Sequence, residues 1–202
     1  NEARRGSGLG ILMGCMMRLI RYLFFSTMLF CGVIEAAGPA GIVLYFKSGE
    51  EVYLLLADDV VGQRGWSAFG GGANEGESTE ETAAREASEE TRGFYQKADL
   101  LELIRGQKPV VSHGYTMYFA EVPYAPAIRI QQHPLENKLA VWNYEKRYFA
   151  WVPLSDLERA LKDEDPALDP LYLPAKSPKK EYWNVWLRSV KAAYAQKACP
   201  WQ

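Results

Sequence analysis

Two short apolar runs open the part of the chain that has a regular hydrophobic pattern. Residues 41–46 (GIVLYF) and 51–58 (EVYLLLAD) are rich in leucine, β-branched and aromatic side chains. The stretch 47–50 (KSGE) between them has the composition of a hairpin connection. A loop at 61–65 and a short strand at 66–69 follow. The pattern therefore predicts a β-hairpin and a third short strand at the start of a sheet.

A helical pattern follows these strands. Ser78 and Glu81 have the spacing of a capping box, which predicts a helix that begins at Thr79 with Ser78 as its N-cap. Three alanines give this helix a small apolar face suited to close packing against a sheet. Gly93 is a natural C-terminal stop.

The other face of this helix is unusually acidic. Glu86, Glu89 and Glu90 stand at i, i+3 and i+4, which brings their carboxylates to one side of the helix. Only Arg85 and Arg92 offset the acids here. A hard divalent cation with oxygen ligands would relieve the repulsion, and Mg²⁺ or Mn²⁺ fits better than zinc because no His or Cys lies nearby. Taken alone, the cluster is equally consistent with a solvated acidic helix.

Further strands are predicted downstream of the helix. Residues 100–104 and 115–122 have the composition of strands, and 107–114 between them is predicted to be a loop. The segment 128–136 has no clear pattern and is left unassigned.

Two helices are predicted in the C-terminal part. Ser155 and Glu158 repeat the capping-box spacing, which predicts a short helix through Leu161. The dipeptide 177–178 (SP) predicts the start of a terminal helix that ends near residue 196. Its apolar stripe is typical of a face docked on the body of a protein. The stripe consists of Trp183, Trp186, Leu187, Val190 and Tyr194.

The N-terminal segment differs in character. Residues 1–12 show no periodicity and are excluded from fold reasoning. Arg18 and Arg21, an apolar run at 22–34 and small residues at 35–38 have the layout of a secretory signal peptide. We therefore expect a secreted or periplasmic protein, with a cytoplasmic location as the alternative. The run is short for a membrane span, so no stable span is expected unless the segment stays uncleaved. A buried first helix of the domain is the structural alternative.

Length and composition limit the function classes. A chain of 202 residues is long enough for one domain with a core, and its hydrophobic fraction of 48% is ordinary. A net charge of -2 gives no reason to expect a nucleic-acid partner. Nothing in the composition indicates an oligomeric state. We predict an upstream segment with the signal peptide (1–37), a main domain (38–165), and a linker with a docked helix (166–202).

A fixed string of identities joins the glycine-rich loop to the acidic helix. Gly71 is followed by Glu77, by the pair Arg85-Glu86 and by the pair Glu89-Glu90. This spacing resembles the Nudix box of the Nudix hydrolases, G-x5-E-x7-R-E-U-x-E-E-x-G-U, where U is a bulky aliphatic residue.

Three positions depart from that box. The U position after Arg-Glu holds Ala87, and the last glycine stands at Gly93 instead of at Arg92. Phe69 occupies the place of the proline that often precedes the paired glycines. None of these changes removes a predicted ligand.

The resemblance implies an α/β fold, with a Nudix-type mixed β-sheet sandwiched between α-helices, to which the C-terminal helix is an addition. It implies metal-dependent hydrolysis of a pyrophosphate bond in a nucleoside diphosphate linked to another moiety, such as a nucleotide sugar, ADP-ribose, a dinucleotide or a nucleoside triphosphate. The partner is then a small-molecule nucleotide or another pyrophosphate. A nucleotide-binding sensor without hydrolysis is the main alternative. A non-nucleotide pyrophosphate substrate, or an isomerase that shares the fold, is a third.

The resemblance also implies roles for individual residues. The ligands of Mg²⁺ or Mn²⁺ would be Glu86, Glu89 and Glu90, with Glu77 and the carbonyl of Gly71 as further candidates. The catalytic residues would be Glu89, Glu86 and Arg85, with Arg85 pairing with a neighbouring glutamate to fix the ligands.

The loop glycines and a glutamate outside the box complete the predicted site. Gly70 and Gly71 would let the backbone approach a phosphate closely, because no Cβ intervenes. By the resemblance, a glutamate outside the box assists the metal or the attacking water. Glu145 is the first candidate and Glu136 the next, and an ordinary surface carboxylate is the alternative for both.

Overall fold

A mixed β-sheet lies at the centre of the structure, a computed structural model that describes residues 37–59, 62–134 and 146–202. The strands are β1 (Ala40–Ser48), β2 (Glu51–Asp59), β3 (Gly65–Ser67), β4 (Phe69–Gly71), β5 (Val110–Ser112), β6 (Tyr115–Glu121) and β7 (Lys146–Pro153). The helices are α1 (Thr79–Glu90), α2 (Lys97–Ile104), α3 (Ala127–Gln131), α4 (Leu154–Ala160) and α5 (Asn184–Ala195).

The sheet has the order β3-β2-β1-β6-β5, with β4 paired to β1 and β7 paired to β2. Strands β1 and β6 run parallel, and the other pairs are antiparallel. The predicted hairpin is confirmed as β1 and β2. Both strands are apolar along their length because both faces of the sheet are covered. Ile42 and Leu44 join one core, whereas Val43 and Tyr45 join the other.

Helices cover both faces of the sheet. Buried side chains of α1, α2 and α3 share one core with the sheet, and those of α4 and α5 share the second core. This is the predicted mixed sheet sandwiched between helices, with an additional C-terminal helix.

The predicted start of α1 is confirmed. The backbone N–H of Glu81 donates to Ser78 Oγ at 3.2 Å, and the N–H of Ser78 donates to Glu81 Oε2 at 2.8 Å. Both halves of the capping box are therefore formed. The alanine face is fully buried against the sheet, because small side chains let the helix approach it closely.

The end of α1 explains one departure from the box. The helix ends at Glu90, and the next turn contains two residues with positive φ: Arg92 at 62° and Gly93 at 72°. The N–H of Gly93 donates to the carbonyl of Ser88 at 2.7 Å, which closes the helix end. The position at which the box has glycine is thus left-handed here, and Arg92 adopts a conformation that glycine would adopt at less steric cost.

The strand predicted at 100–104 is wrong, since these residues belong to helix α2. Leu100 and Ile104 are one helical turn apart and both are buried, whereas Leu103 is 44% exposed. A run this short does not distinguish a strand from a helix by its pattern alone. The predicted loop at 107–114 contains β5, and the unassigned segment 128–136 overlaps α3.

The prediction of a second capping box at Ser155 and Glu158 is also wrong. Helix α4 begins at Leu154 with Pro153 as its N-cap, and no side chain caps it. Ser155 therefore lies inside the first turn, two residues after the N-cap position.

The terminal helix begins later than predicted. Residues 179–183 run extended beside β3, where the N–H of Trp66 donates to Glu181 O and the N–H of Trp183 donates to Trp66 O, both at 2.9 Å. Because these backbone groups bond to β3, the helix starts only at Asn184. It ends at Ala195, near the predicted position, and Trp186 lies in the core.

Several predictions concern parts of the chain outside the described residues. They are the signal peptide up to residue 36 and the two candidate assisting glutamates, Glu136 and Glu145. Within the described ranges, no helix is long and apolar enough to cross a membrane. The domain boundaries given above stay predictions.

Candidate active site

Arg85 holds the loop before α1 against the helix. Its Nε donates to Glu77 Oε1 at 2.8 Å and its Nη2 donates to Glu77 Oε2 at 3.0 Å. Nη2 also donates to the carbonyl of Gly72 at 2.7 Å. The hydrogen bonds from Arg85 lower the pKa of Glu77 to about 2. This bidentate pairing keeps the side chain of Glu77 ionised and holds it in place in the loop.

The same guanidinium holds two further glutamates of α1. Arg85 Nη1 donates to Glu86 Oε1 at 2.8 Å and to Glu89 Oε2 at 3.2 Å. The side chain of Glu86 is 17% exposed, whereas that of Glu89 is 45% exposed. Arg85 thus pairs with neighbouring glutamates, as the sequence predicted, and Glu89 is the most accessible of its partners.

Glu90 points in a different direction and is buried. Its Oε2 accepts a hydrogen bond from the N–H of Gly70 at 2.9 Å. Its Oε1 lies 3.8 Å from Nζ of Lys146, which is itself buried and donates to Ser67 Oγ at 3.0 Å. The carboxylate therefore joins the helix, the glycine loop and the first residue of β7.

Tyr115 packs against the glycine loop. Its hydroxyl packs against the backbone of two glycines, so that a Cβ atom would lie 2.0 Å from it at Gly41 and 2.2 Å from it at Gly70. Burial raises the pKa of Tyr115, and the charges of Glu90 and Glu86 raise it further. Both carboxylates therefore act on the same hydroxyl.

Gly71 lies in direct contact with the carboxylate of Glu86. A Cβ atom on Gly71 would lie 2.5 Å from both Cδ and Oε2 of Glu86. Only glycine allows this approach without moving Glu86. The box therefore requires glycine here for close contact with the helix acid.

A pocket of about 360 Å³ opens beside these residues. One side is formed by Ser67, Gly70, Gly71, Glu90 and Lys146. The lining also includes Arg64, Trp183, Val185, Trp186 and Ser189. The acids of α1 and the glycine loop thus meet at the wall of a ligand-sized cavity.

Comparison with known proteins agrees with this geometry. The family model described as "NUDIX domain" matches residues 37–173, which is most of the chain. The chain belongs to the Nudix family. At the level that the family supports, it is a Nudix-type pyrophosphohydrolase.

Solved Nudix structures resemble this chain only distantly. An Ap4A hydrolase from C. elegans, in a binary complex, is 19% identical with a TM-score of 0.40, and the match covers 78% of this chain and 97% of the other. A MutT/nudix family protein from Enterococcus faecalis is 14% identical with a TM-score of 0.42, covering 95% of this chain and 76% of the other. A search of curated proteins found no match.

The structure brings together some of the predicted Nudix residues and separates others. Gly70, Gly71 and Glu90 line the pocket, and Glu86 lies behind Gly71. Glu89, however, bonds to Arg85 on the exposed side of α1. Across the described ranges, no group of three or more His, Cys, Asp or Glu side chains is arranged to hold a metal ion. Glu86 and Glu89 accept from the same nitrogen of Arg85, whereas Glu90 accepts from Gly70.

Several pocket residues were missed in the sequence. Tyr115 and Lys146 each stand at the first position of a strand, where nothing in the local pattern distinguishes them. His113 also lines the pocket. Trp183 was assigned only to a docking stripe. The Nudix match ends at residue 173, so Trp183 also lies outside the matched range.

Proposed function

We propose that this Nudix protein hydrolyses a pyrophosphate bond in a nucleoside diphosphate linked to another moiety, with Mg²⁺ or Mn²⁺ as cofactor. One observation carries the proposal: Glu86 and Glu90 of α1 reach the glycine loop at the wall of a pocket, where Glu86 contacts Gly71 and Glu90 bonds to Gly70. A polyanionic substrate enters such an acidic site only through a bridging cation.

The donor atoms fit a hard divalent cation. Glu86 and Glu90 supply carboxylate oxygens, which Mg²⁺ and Mn²⁺ prefer, and both reach the glycine loop. Gly71 and Glu86 lie so close together that a Cβ atom on residue 71 would fill the space between them. A bound cation of this kind neutralises phosphate charge and lowers the pKa of a coordinated water. Glu89 and Glu77 are the further proposed ligands, together with the carbonyl of Gly71.

Arg85 is proposed to position the acids. Its side chain is mostly buried and bonds to Glu77, Glu86 and Glu89 at once, so that it leaves few donors for a substrate. Glu89 has the longest of these hydrogen bonds and the most exposed side chain. We therefore assign Glu86 and Glu89 as candidates to accept a proton from the attacking water, with Glu89 the freer to move.

Gly70 and Gly71 are proposed to bring the backbone close to the phosphates. The N–H of Gly70 already donates to Glu90, so its contribution is close approach and not a hydrogen bond to substrate. Gly71 lines the pocket and also contacts the carboxylate of Glu86. Phosphate and carboxylate would thus lie on adjacent sides of the loop.

Divalent metal is expected to stabilise the folded protein. A cation that binds only the folded state adds about 2.7 kcal/mol at 100 times its Kd, which raises the Tm of a domain this size by roughly 5–11 °C. Thermal melts with millimolar Mg²⁺ or Mn²⁺ against a chelator measure this shift. The double variant Glu86→Gln/Glu90→Gln should lose most of it. Equal melting curves with and without metal would favour a solvated acidic helix. A separate assay, turnover with and without chelator, tests hydrolysis itself.

A further inference from the structure

The C-terminal segment forms part of the wall of the pocket that Glu90 also lines. Trp183, Val185, Trp186 and Ser189 lie beyond residue 173, where the match to the family ends. We propose that Trp183, together with Arg64, forms the platform on which the base of a nucleotide substrate stacks. This inference rests on the function proposed above and names the part of the site that selects the substrate.

Trp183 is the more accessible of the two indoles in this wall, and the guanidinium of Arg64 already lies over its ring. Cζ of Arg64 lies 5.3 Å from the centroid of the Trp183 ring. Nε of Arg64 lies 3.5 Å from Oδ2 of Asp59, which anchors the guanidinium over the ring. Trp186 is buried by comparison, whereas Trp183 is only half-buried. An indole face and a guanidinium plane are the two protein surfaces on which bases stack best.

The platform is held rigidly. The backbone N–H of Trp183 donates to Trp66 O at 2.9 Å, and Trp66 is fully buried in β3. The preceding residue, Tyr182, is buried and its hydroxyl donates to Asp156 Oδ2 at 2.8 Å. These contacts fix the segment before α5 at the residue that carries the indole and at the residue before it. A preorganised ring costs less entropy on binding than a mobile one.

The remaining chemistry of the pocket favours a base over other groups. Asp59 is a hydrogen-bond acceptor, and Ser67 and Ser189 carry hydroxyls, so the pocket offers partners for the polar edge of a flat ring. An aliphatic chain would make no use of these polar groups. A further phosphate would find both pocket cations already paired with acids, Arg64 with Asp59 and Lys146 with Glu90. A volume of about 360 Å³ is at the low end for small-molecule sites. It suits one nucleoside half of a substrate.

Binding of product-like ligands, measured with millimolar Mg²⁺ present, tests the platform without turnover. Calorimetry on the full chain would compare AMP, GMP, CMP and UMP with ribose 5-phosphate, which lacks the base. Replacing Trp183 by Ala should weaken binding of the preferred nucleotide by about 5-fold to 150-fold, the range for loss of one base–aromatic stack. Trp183→Phe should retain most of the affinity. Ribose 5-phosphate should bind equally to all variants.

A matched control removes an aromatic ring elsewhere on the surface. Tyr124 is 58% exposed and is not part of the pocket wall, so Tyr124→Ala should bind as the wild type does. If Trp183→Ala lowers the melting temperature, Trp183→Leu tests the same point, because leucine fills space without a ring face. Equal nucleotide affinity in the wild type and in the folded ring-less variant would overturn the platform. So would a parallel loss for ribose 5-phosphate, or no nucleotide binding by the wild type up to millimolar concentration.

The proposed platform and the proposed hydrolytic function can be refuted independently of each other. Nucleotide binding that depends on Trp183, in a protein with no turnover, would support the platform and refute hydrolysis. Turnover of a nucleotide substrate with the same kcat/KM in the wild type and in Trp183→Ala would refute the platform and leave hydrolysis standing.

Discussion

Replacing Glu90 with Gln is expected to lower kcat on a nucleoside diphosphate derivative by about 100-fold or more. Gln retains one oxygen that accepts from the N–H of Gly70, so the loop contact survives. The charge that faces Lys146 and the proposed cation is lost. Because a charge needed in the transition state is removed, kcat and kcat/KM should fall together. Steady-state kinetics at saturating Mg²⁺ measures both.

Within the box, the loss is expected to follow the placement of each carboxylate. Glu90 lines the pocket, whereas Glu89 is half-exposed and bonds to Arg85, so Glu89→Gln should cost less than Glu90→Gln. Glu75→Gln is the matched control, since Glu75 is an exposed carboxylate of the preceding loop. Circular dichroism should show the native fold in all three variants. Full activity in folded Glu90→Gln would contradict the site described here.

Replacing Gly71 with Ala is expected to lower turnover by about 100-fold while leaving the fold intact. The added Cβ would lie 2.5 Å from Cδ of Glu86. The group that has to move is the end of a flexible side chain, so the protein tolerates the change by shifting the carboxylate. A displacement of about 1 Å at a catalytic group is enough for a loss of this size. Kinetics and urea unfolding would be measured on the same preparation.

The neighbouring glycine provides the control. A Cβ on Gly72 meets no atom within 4 Å, and Gly72 is absent from the positive-φ glycines in the described ranges. Gly72→Ala should therefore keep activity within about threefold of the wild type and leave the unfolding free energy within about 0.5 kcal/mol. Equal activity losses in the two variants would mean that loop flexibility matters, and not the contact between Gly71 and Glu86.

The local parts of the fold were predictable from the sequence. The capping box of Ser78 and Glu81 involves two residues one turn apart, and its hydrogen bonds form as the spacing predicts. The same spacing failed at Ser155, because the preceding strand runs on to Pro153 and the helix begins directly after it. Sheet pairing therefore overrides a local capping signal.

The long-range parts of the site were not predictable. The box residues are specified by a string of identities, so their proximity could be read from the sequence. Lys146 reaches Glu90 only because β7 pairs with β2, and Trp183 faces the pocket only because residues 179–183 bond to β3. These contacts depend on tertiary pairing that no periodicity shows. The start of α5 was misplaced for the same reason.

The most direct test of the central claim is turnover by the wild-type protein. The protein would be incubated with nucleotide sugars, ADP-ribose, dinucleotides and nucleoside triphosphates, in Mg²⁺ or Mn²⁺ and in excess chelator, with products identified by mass spectrometry. We predict release of phosphate-containing products from at least one nucleoside diphosphate derivative, only when the divalent metal is present. Tight nucleotide binding without any such product, across the panel and with either metal, would contradict the account and identify a nucleotide-binding sensor instead.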